Sequence, residues 1–132
     1  MPFDDISDDL TITDDEILWR RVDPSQVRTD PVSNQIIPWS GAFKDQRGPL
    51  SVEIASLTNL EEALTRADGR FLAEFTARVA RKVNCRIVKN PLPENPAHAQ
   101  IYGNHKGGCP SGAQARSIAH QSRIIQMESE RQ

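Results

Sequence analysis

Phe71-Leu-Ala-Glu-Phe-Thr76, followed by Ala77-Arg-Val-Ala-Arg-Lys-Val83, is the stretch on which the fold turns. Apolar and polar side chains alternate through its first half, which is the period of a strand with one buried face. From Ala77 the pattern changes. Val79 and Val83 recur four apart, with Arg78, Arg81 and Lys82 on the wet side of a short helix. The segment then reads as a strand running directly into a helix. The competing reading is one continuous helix from Phe71, because Ala, Leu, Glu and Arg all favour helix. The first reading gives the sheet a strand; the second takes it away.

Upstream, Leu50-Ser-Val-Glu-Ile54 alternates in the same way, and Ile17-Leu-Trp-Arg-Arg-Val22 reads as a first strand. That strand is stopped at Asp23-Pro24-Ser25, where the proline ring presets a turn. Thr13 and Glu16 also fit a capping box, the mark of a short helix at this point. Residues 23–49 contain Pro24, Pro31, Pro38 and Pro49 and little periodicity, with an extended piece at Gln35–Trp39. Irregular connections of this length tend to carry function, which marks Trp39-Ser-Gly-Ala-Phe43. Thr58-Asn-Leu-Glu61 is a capping box for a helix through Ala67, and Gly69 suits its end.

Downstream, Cys85-Arg-Ile-Val88 reads as a strand stopped by Asn90-Pro91, and His98–Tyr102 as another. Ser111 is placed to cap a last helix reaching about Met127. Ala115, Ile118, Ala119, Ser122 and Ile125 share one face of it. The fold expected is α+β: a small mixed or antiparallel sheet of about four strands, two or three helices, and the C-terminal helix packed on the sheet. It occupies residues 17–127 as a single domain, after a flexible acidic arm at 1–16 and before a polar tail at 128–132.

The chain has 132 residues, 37% of them apolar and only 5% aromatic, so the core must be mostly aliphatic. No apolar run approaches the roughly 20 residues that span a bilayer, and no membrane role is expected. The acidic start is unlike a secretory signal. Two cysteines at unrelated spacing make neither a disulfide framework nor a zinc site, so free thiols and a cytoplasmic location are expected. Charge is uneven although it sums to −2: residues 1–16 hold seven acids and no base. Seven carboxylates repel one another, so deleting residues 1–12 is expected to leave the fold intact. Basic residues gather after Arg78 but are not interleaved with aromatics, and nucleic-acid binding is not expected.

Residues able to do chemistry gather in Pro91–Tyr102 and in Asn104-His-Lys-Gly-Gly-Cys-Pro-Ser-Gly112. Pro91-x-Pro-x-x-Pro96 reads as a rigid connector or as a polyproline II ligand for an aromatic groove, and it gives His98 a fixed direction, inside or at the edge of a cleft with a hydrogen bond to backbone or a side chain. Cys109 lies just before a helix N-terminus, where backbone N–H groups favour a thiolate. The Gly107–Gly112 run beside Lys106 is either an anion cradle at a helix N-terminus or a connector. His98, His105 and Cys109, with His120, match no compact metal spacing, and no metal is expected. Cys109 through Arg116 is superficially similar to the phosphate loop of the cysteine phosphatases. Six residues rather than five separate the two here, which swings the guanidinium by ~100°.

Trp19-Arg20-Arg21 on the first strand, Ser40-Gly-Ala-Phe43 in the long loop, and Glu53 or Glu74 on later strands are ordered in a way that resembles small ADP-ribosyltransferase-like domains. The resemblance implies that Arg20 holds the phosphates or ribose of NAD, that Ser40 supports the nicotinamide pocket, and that a late Glu assists transfer. The Ser-Thr-Ser and Glu-x-Glu motifs of that family are lacking. Leu18-Trp-Arg-Arg21, Leu50-Ser-Val52 and Asn95-Pro-Ala-His98 together resemble segments of small bacterial proteins. That resemblance implies only that the three lie close together.

The leading expectation is a non-enzymatic binding or regulatory module acting with a partner protein. The runner-up is an ADP-ribosyltransferase-like or nucleotide-binding enzyme using Arg20, Ser40 and His98. No catalytic residue and no cofactor follow from the residues themselves. An anionic or nucleotide ligand would draw on Arg20, Ser40, His98, His105, Cys109 and Arg116. Arg20 is expected at the surface, with Arg20→Ala costing within about 0.5 kcal/mol.

Overall fold

The computed structural model describes residues 6–44 and 48–125. Phe3, the tail at 128–132 and the expected helix end at Met127 lie outside them. Eight strands and three α-helices follow along the chain: β1 (Ile17–Val22), β2 (Val27–Thr29), β3 (Ile36–Pro38), β4 (Leu50–Ile54), α1 (Leu60–Ala67), β5 (Phe71–Thr76), α2 (Ala77–Lys82), β6 (Arg86–Lys89), β7 (His98–Tyr102), α3 (Gly112–Gln121) and β8 (Arg123–Ile124). Six strands form one sheet in the order β6-β7-β4-β1-β5-β8, and β2 with β3 forms a separate hairpin. Every pairing is antiparallel.

Phe71–Thr76 is a strand. It pairs with β1 along its whole length, from Ile17 opposite Thr76 to Val22 opposite Phe71. Helix propensity loses because the segment is buried on two sides: Ala73 and Phe75 enter one apolar cluster and Leu72 another. Only a period of two delivers neighbouring side chains to opposite faces.

The larger cluster joins Leu18, Val22, Val52, Phe75 and Ile101 of the sheet to Ala80 of α2 and to Ala115 and Ile118 of α3. Phe43 sits in it edge-on to Phe75, with ring centroids 5.7 Å apart. The smaller cluster, on the other face, joins Trp19 and Leu72 to Ala63 and Ala67 of α1. Helices therefore cover both faces.

The sheet has six strands where about four were expected. One reason is the end of α3. The helix stops at Gln121, and Ser122 turns extended (φ −93°, ψ 164°). Arg123 and Ile124 then pair with Glu74 and Ala73. Ile124 enters the larger cluster and Ile125 packs on the smaller one, a division that a strand allows and a helix face does not. The cap of α1 also shifts by one residue: Asn59, not Thr58, accepts the Glu62 N–H at 2.8 Å.

From Ile6 onward the described part of the acidic arm makes contacts with the rest of the fold. Ile12 is 1% exposed inside the larger cluster. Asp9 N–H donates to the Ile87 carbonyl at 2.8 Å, and the Asp8 carboxylate accepts the Ile87 N–H at 2.9 Å, so the arm closes the outer edge of β6. Arg81 of α2 reaches back to Asp8 and Asp14 at 2.9 and 2.8 Å. Burial works against the Arg81 charge, but its hydrogen bonds to Asp14 and Asp8 outweigh it and hold the guanidinium firmly protonated. Asp8, Asp14 and Asp15 are thus each matched by a cation of α2.

Candidate functional site

The three segments expected to lie together do so. Trp19 stands opposite Glu53 in the sheet, and Glu53 opposite His98. All three fall on the face that α1 partly covers, and Glu53 is only 2% exposed. Its carboxylate accepts from Arg66 of α1 through two nitrogens, at 2.6 and 3.2 Å, and Arg21 lies 4.0 Å away. Hydrogen bonding to Glu53 is the main reason the Arg66 guanidinium is held more strongly protonated than usual. Thr58 Oγ1 accepts from Arg66 as well. His98 is buried, with Nδ1 2.9 Å from the Asn90 carbonyl, so the loop before β7 fixes its ring. No buried side-chain nitrogen or oxygen among the described residues is left without a partner, and the arrangement anchors α1 to the sheet.

Arg20, Ser40 and His98 do not converge. Arg20 follows Trp19 and so faces the opposite side of the sheet from His98. Its guanidinium lies half-buried and donates to the carbonyls of Ala42 and Ser51, both at 3.0 Å. It ties the 3-10 turn at Ser40–Phe43 to the sheet, which corrects the expectation of a surface side chain. Charged hydrogen bonds to backbone are worth about 1.5–3 kcal/mol each, and partial exposure lowers the sum. Arg20→Ala is accordingly expected to cost about 1–3 kcal/mol in chemical denaturation. A loss under about 0.5 kcal/mol would restore the surface role.

Cys109 is buried and its thiol donates to the Pro110 carbonyl at 3.3 Å, two residues short of α3. Cys85 is buried as well, and desolvation pushes its thiol up to about 12. Neither thiol is expected to react with a solution thiol reagent near neutral pH until the protein unfolds; rapid labelling of native protein would contradict this. His105 is exposed on the loop before Cys109. The amides of Gly108 and Cys109 donate to His105 and Lys106 carbonyls within the same loop. A Cβ at Gly108 would press on the Tyr102 ring, 2.8 Å from Cδ2. Both observations favour a packed connector over an anion cradle. Gln114, overlooked in the sequence, holds this region together. Its Oε1 accepts the N–H groups of Asn104 and Ser111, and its Nε2 donates to the Val83 carbonyl. The signal was present as a capping box, Ser111-x-x-Gln114.

Ser40 and Arg116 do meet. They line a groove of about 990 Å³ between the β2–β3 hairpin and α3, together with Arg28, Ile37, Trp39 and His120. The two walls have clear causes. On α3, Ala113, Arg116, Ser117 and His120 recur at helical spacing on the side away from Ala115 and Ile118. On the hairpin, Arg28 stands opposite Ile37 and alternates with Val27 and Ile36, which pack on the core. Asp30 shapes the hairpin turn: its carboxylate accepts from Ser33 Oγ at 2.8 Å and from the Val32 N–H at 3.2 Å. Phe43, buried at the far end of the 3-10 turn, anchors Trp39 and Ser40 at the rim. Trp39 remains 49% exposed and carries the Arg28 guanidinium 4.7 Å above its ring.

Of the residues lining the groove, Arg28 was missed in the sequence; His120 was seen only in a metal context. Among the described residues no group of three or more His, Cys, Asp or Glu side chains could hold a metal ion, and no helix is long and apolar enough to cross a membrane. Comparison with protein-family models, with curated proteins and with solved structures gives no match.

Proposed function

We propose that this chain is a non-enzymatic binding module that engages a partner protein through the groove between the β2–β3 hairpin and α3. The observation that carries the reading is the state of the groove's polar groups. No hydrogen bond or ion pair among the described residues engages the side chains of Arg116, His120, Ser40 or Ser117, and Arg28 lies over the Trp39 ring with only a weak, longer-range attraction to Asp30. The other candidate cluster, around Glu53, is matched internally. Two apolar side chains extend the surface along the hairpin, Trp39 at 49% and Val32 at 93% exposed. Aromatic and arginine side chains are the residue types that dominate binding energy at interfaces. An enzyme using Arg20, Ser40 and His98 together is the weaker reading, because His98 faces the side of the sheet away from Arg20 and the Ser40 turn.

The test is reconstitution. A protein captured on the immobilised chain is purified and titrated against wild type and against Arg116→Glu and Trp39→Ala. Each substitution is expected to weaken binding at least ~10-fold, as truncation of an interface anchor does. A partner that binds both variants as tightly as wild type would rule out the groove.

A further inference from the structure

We propose that the groove receives an acidic segment of the partner, its carboxylates meeting Arg28, Arg116 and His120 while an apolar side chain lies on Trp39 and Ile37. This rests on the binding-module reading above and adds the chemistry of the occupant.

The first support is the distribution of free guanidinium groups. The other described arginines donate to a carboxylate or to a backbone carbonyl: Arg66 to Glu53, Arg78 to Asp15, Arg81 to Asp8 and Asp14, Arg123 to Glu74, and Arg20, Arg21, Arg70 and Arg86 to carbonyls. Arg28 and Arg116 have no such partner among the described residues, and both line the groove. The second is the near absence of competing acids. Helix α3 contains no Asp or Glu, and Asp30 is the only carboxylate in the groove. Both oxygens of Asp30 already accept hydrogen bonds within its own turn. The Ser33 hydroxyl, and after it the Val32 N–H, hold it below the usual carboxylate range.

Geometry adds to the charge. The Arg28 guanidinium lies 4.7 Å over the Trp39 ring, and a guanidinium can match a carboxylate through two hydrogen bonds. The contact with Trp39 therefore holds Arg28 in place as a donor to a carboxylate. Ala113 and Ser117 flank Arg116 and are small, leaving room for a chain to lie along α3. Ile37, Pro38 and Trp39 supply an apolar strip beside these cations. Apolar contact bordered by cations suits a segment that mixes acidic and apolar residues. A nucleotide is the weaker fit. Small-molecule sites enclose most of their ligand and place several polar groups to read its edges, whereas this groove lies open beside the hairpin and one face of Trp39 is already taken by Arg28.

The experiment titrates the full chain with three probes and follows the indole N–H resonance of Trp39. One probe is a synthetic peptide alternating Glu and Leu, the second is the same peptide with Gln for Glu, and the third is ATP. The Glu peptide is expected to shift the Trp39 signal and to bind at least ~10-fold more tightly than the Gln peptide, a preference that salt reduces. Arg116→Gln should weaken the Glu peptide by a similar factor. Arg123→Gln, which removes an exposed arginine already paired with Glu74, should leave it unchanged. Equal binding of the two peptides, binding of ATP alone, or no binding of the Glu peptide would each overturn the proposal. If a reconstituted partner still depends on Arg116 and Trp39 while the Glu peptide fails, the acidic occupant falls and the module stands. If the partner is also indifferent to both residues, the groove itself falls.

Discussion

Glu53→Ala is expected to lower the unfolding free energy by about 3–5 kcal/mol, the cost of leaving one member of a buried ion pair alone. Glu53 lies on the sheet beneath α1, and Arg66 reaches it from the helix with two nitrogens. Without the carboxylate, Arg66 keeps Thr58 and the exposed Glu62 at 3.9 Å but loses its buried partner, while Arg21 loses its nearest carboxylate. Arg66→Ala should cost less, because Arg21 remains beside Glu53. Replacing both by Met should recover much of the loss, since apolar residues of similar volume often substitute for a buried pair at little cost. Urea titration of the three variants checks this. A loss below about 1 kcal/mol for Glu53→Ala would mean that water reaches the pair and screens it.

Removing residues 1–12 is expected to destabilise the protein by about 4 kcal/mol or more, or to prevent folding. Ile12→Ala alone should cost about 2–4 kcal/mol, within the range for emptying a packed core position. The deletion adds the loss of Asp8 and Asp9 from the edge of β6 and frees Arg81 from Asp8. An uncovered edge strand also invites pairing between molecules, so the truncated chain should aggregate. Leu10→Ser, at an exposed position of the same arm, should change stability by no more than about 0.5 kcal/mol. Thermal melts of the three proteins decide the matter, and a truncated chain that melts with the wild type would show that Ile12 does not anchor the arm. Acid should loosen this region. The Thr11 hydroxyl, and next its N–H, hold the Asp9 carboxyl below its ordinary value. A carboxyl with a lowered folded-state pKa stabilises above its unfolded pKa, and the benefit is lost as pH falls through the folded value.

Strands and helices that alternate cleanly were legible in the sequence. Leu50–Ile54, Phe71–Thr76 and His98–Tyr102 have the expected bounds, because a period of two reports a buried face directly. Residues 123–125 were not legible: Ser122 and Ile125 continue the helical spacing of Ala115 and Ile118, and only pairing with β5 overrides it. The contacts of the arm were not legible in its composition. Counting seven acids in sixteen residues says nothing of where Arg78 and Arg81 will stand, and those cations come from more than sixty residues away. The groove was half legible. Ser40 and Arg116 were singled out, but for different sites, because no local pattern shows that a proline-bracketed hairpin will face a helix more than seventy residues later.

The position of β1 has a kinetic consequence. The first strand of the chain lies inside the sheet, and its partners are Leu50–Ile54 on one side and Phe71–Thr76 on the other. The edge formed by β6 and β7 reaches it only through β4, and the arm before β1 bonds to Ile87. Few of these pairings join neighbours in sequence, so closing each loop loses chain entropy before any contact compensates. This chain should therefore refold on a scale of about milliseconds to seconds, well behind helical proteins of its size. Until β7 has joined β4, the unpaired edges of β1 and β4 are the surfaces most apt to capture a neighbouring chain, and refolding yield should fall as protein concentration rises.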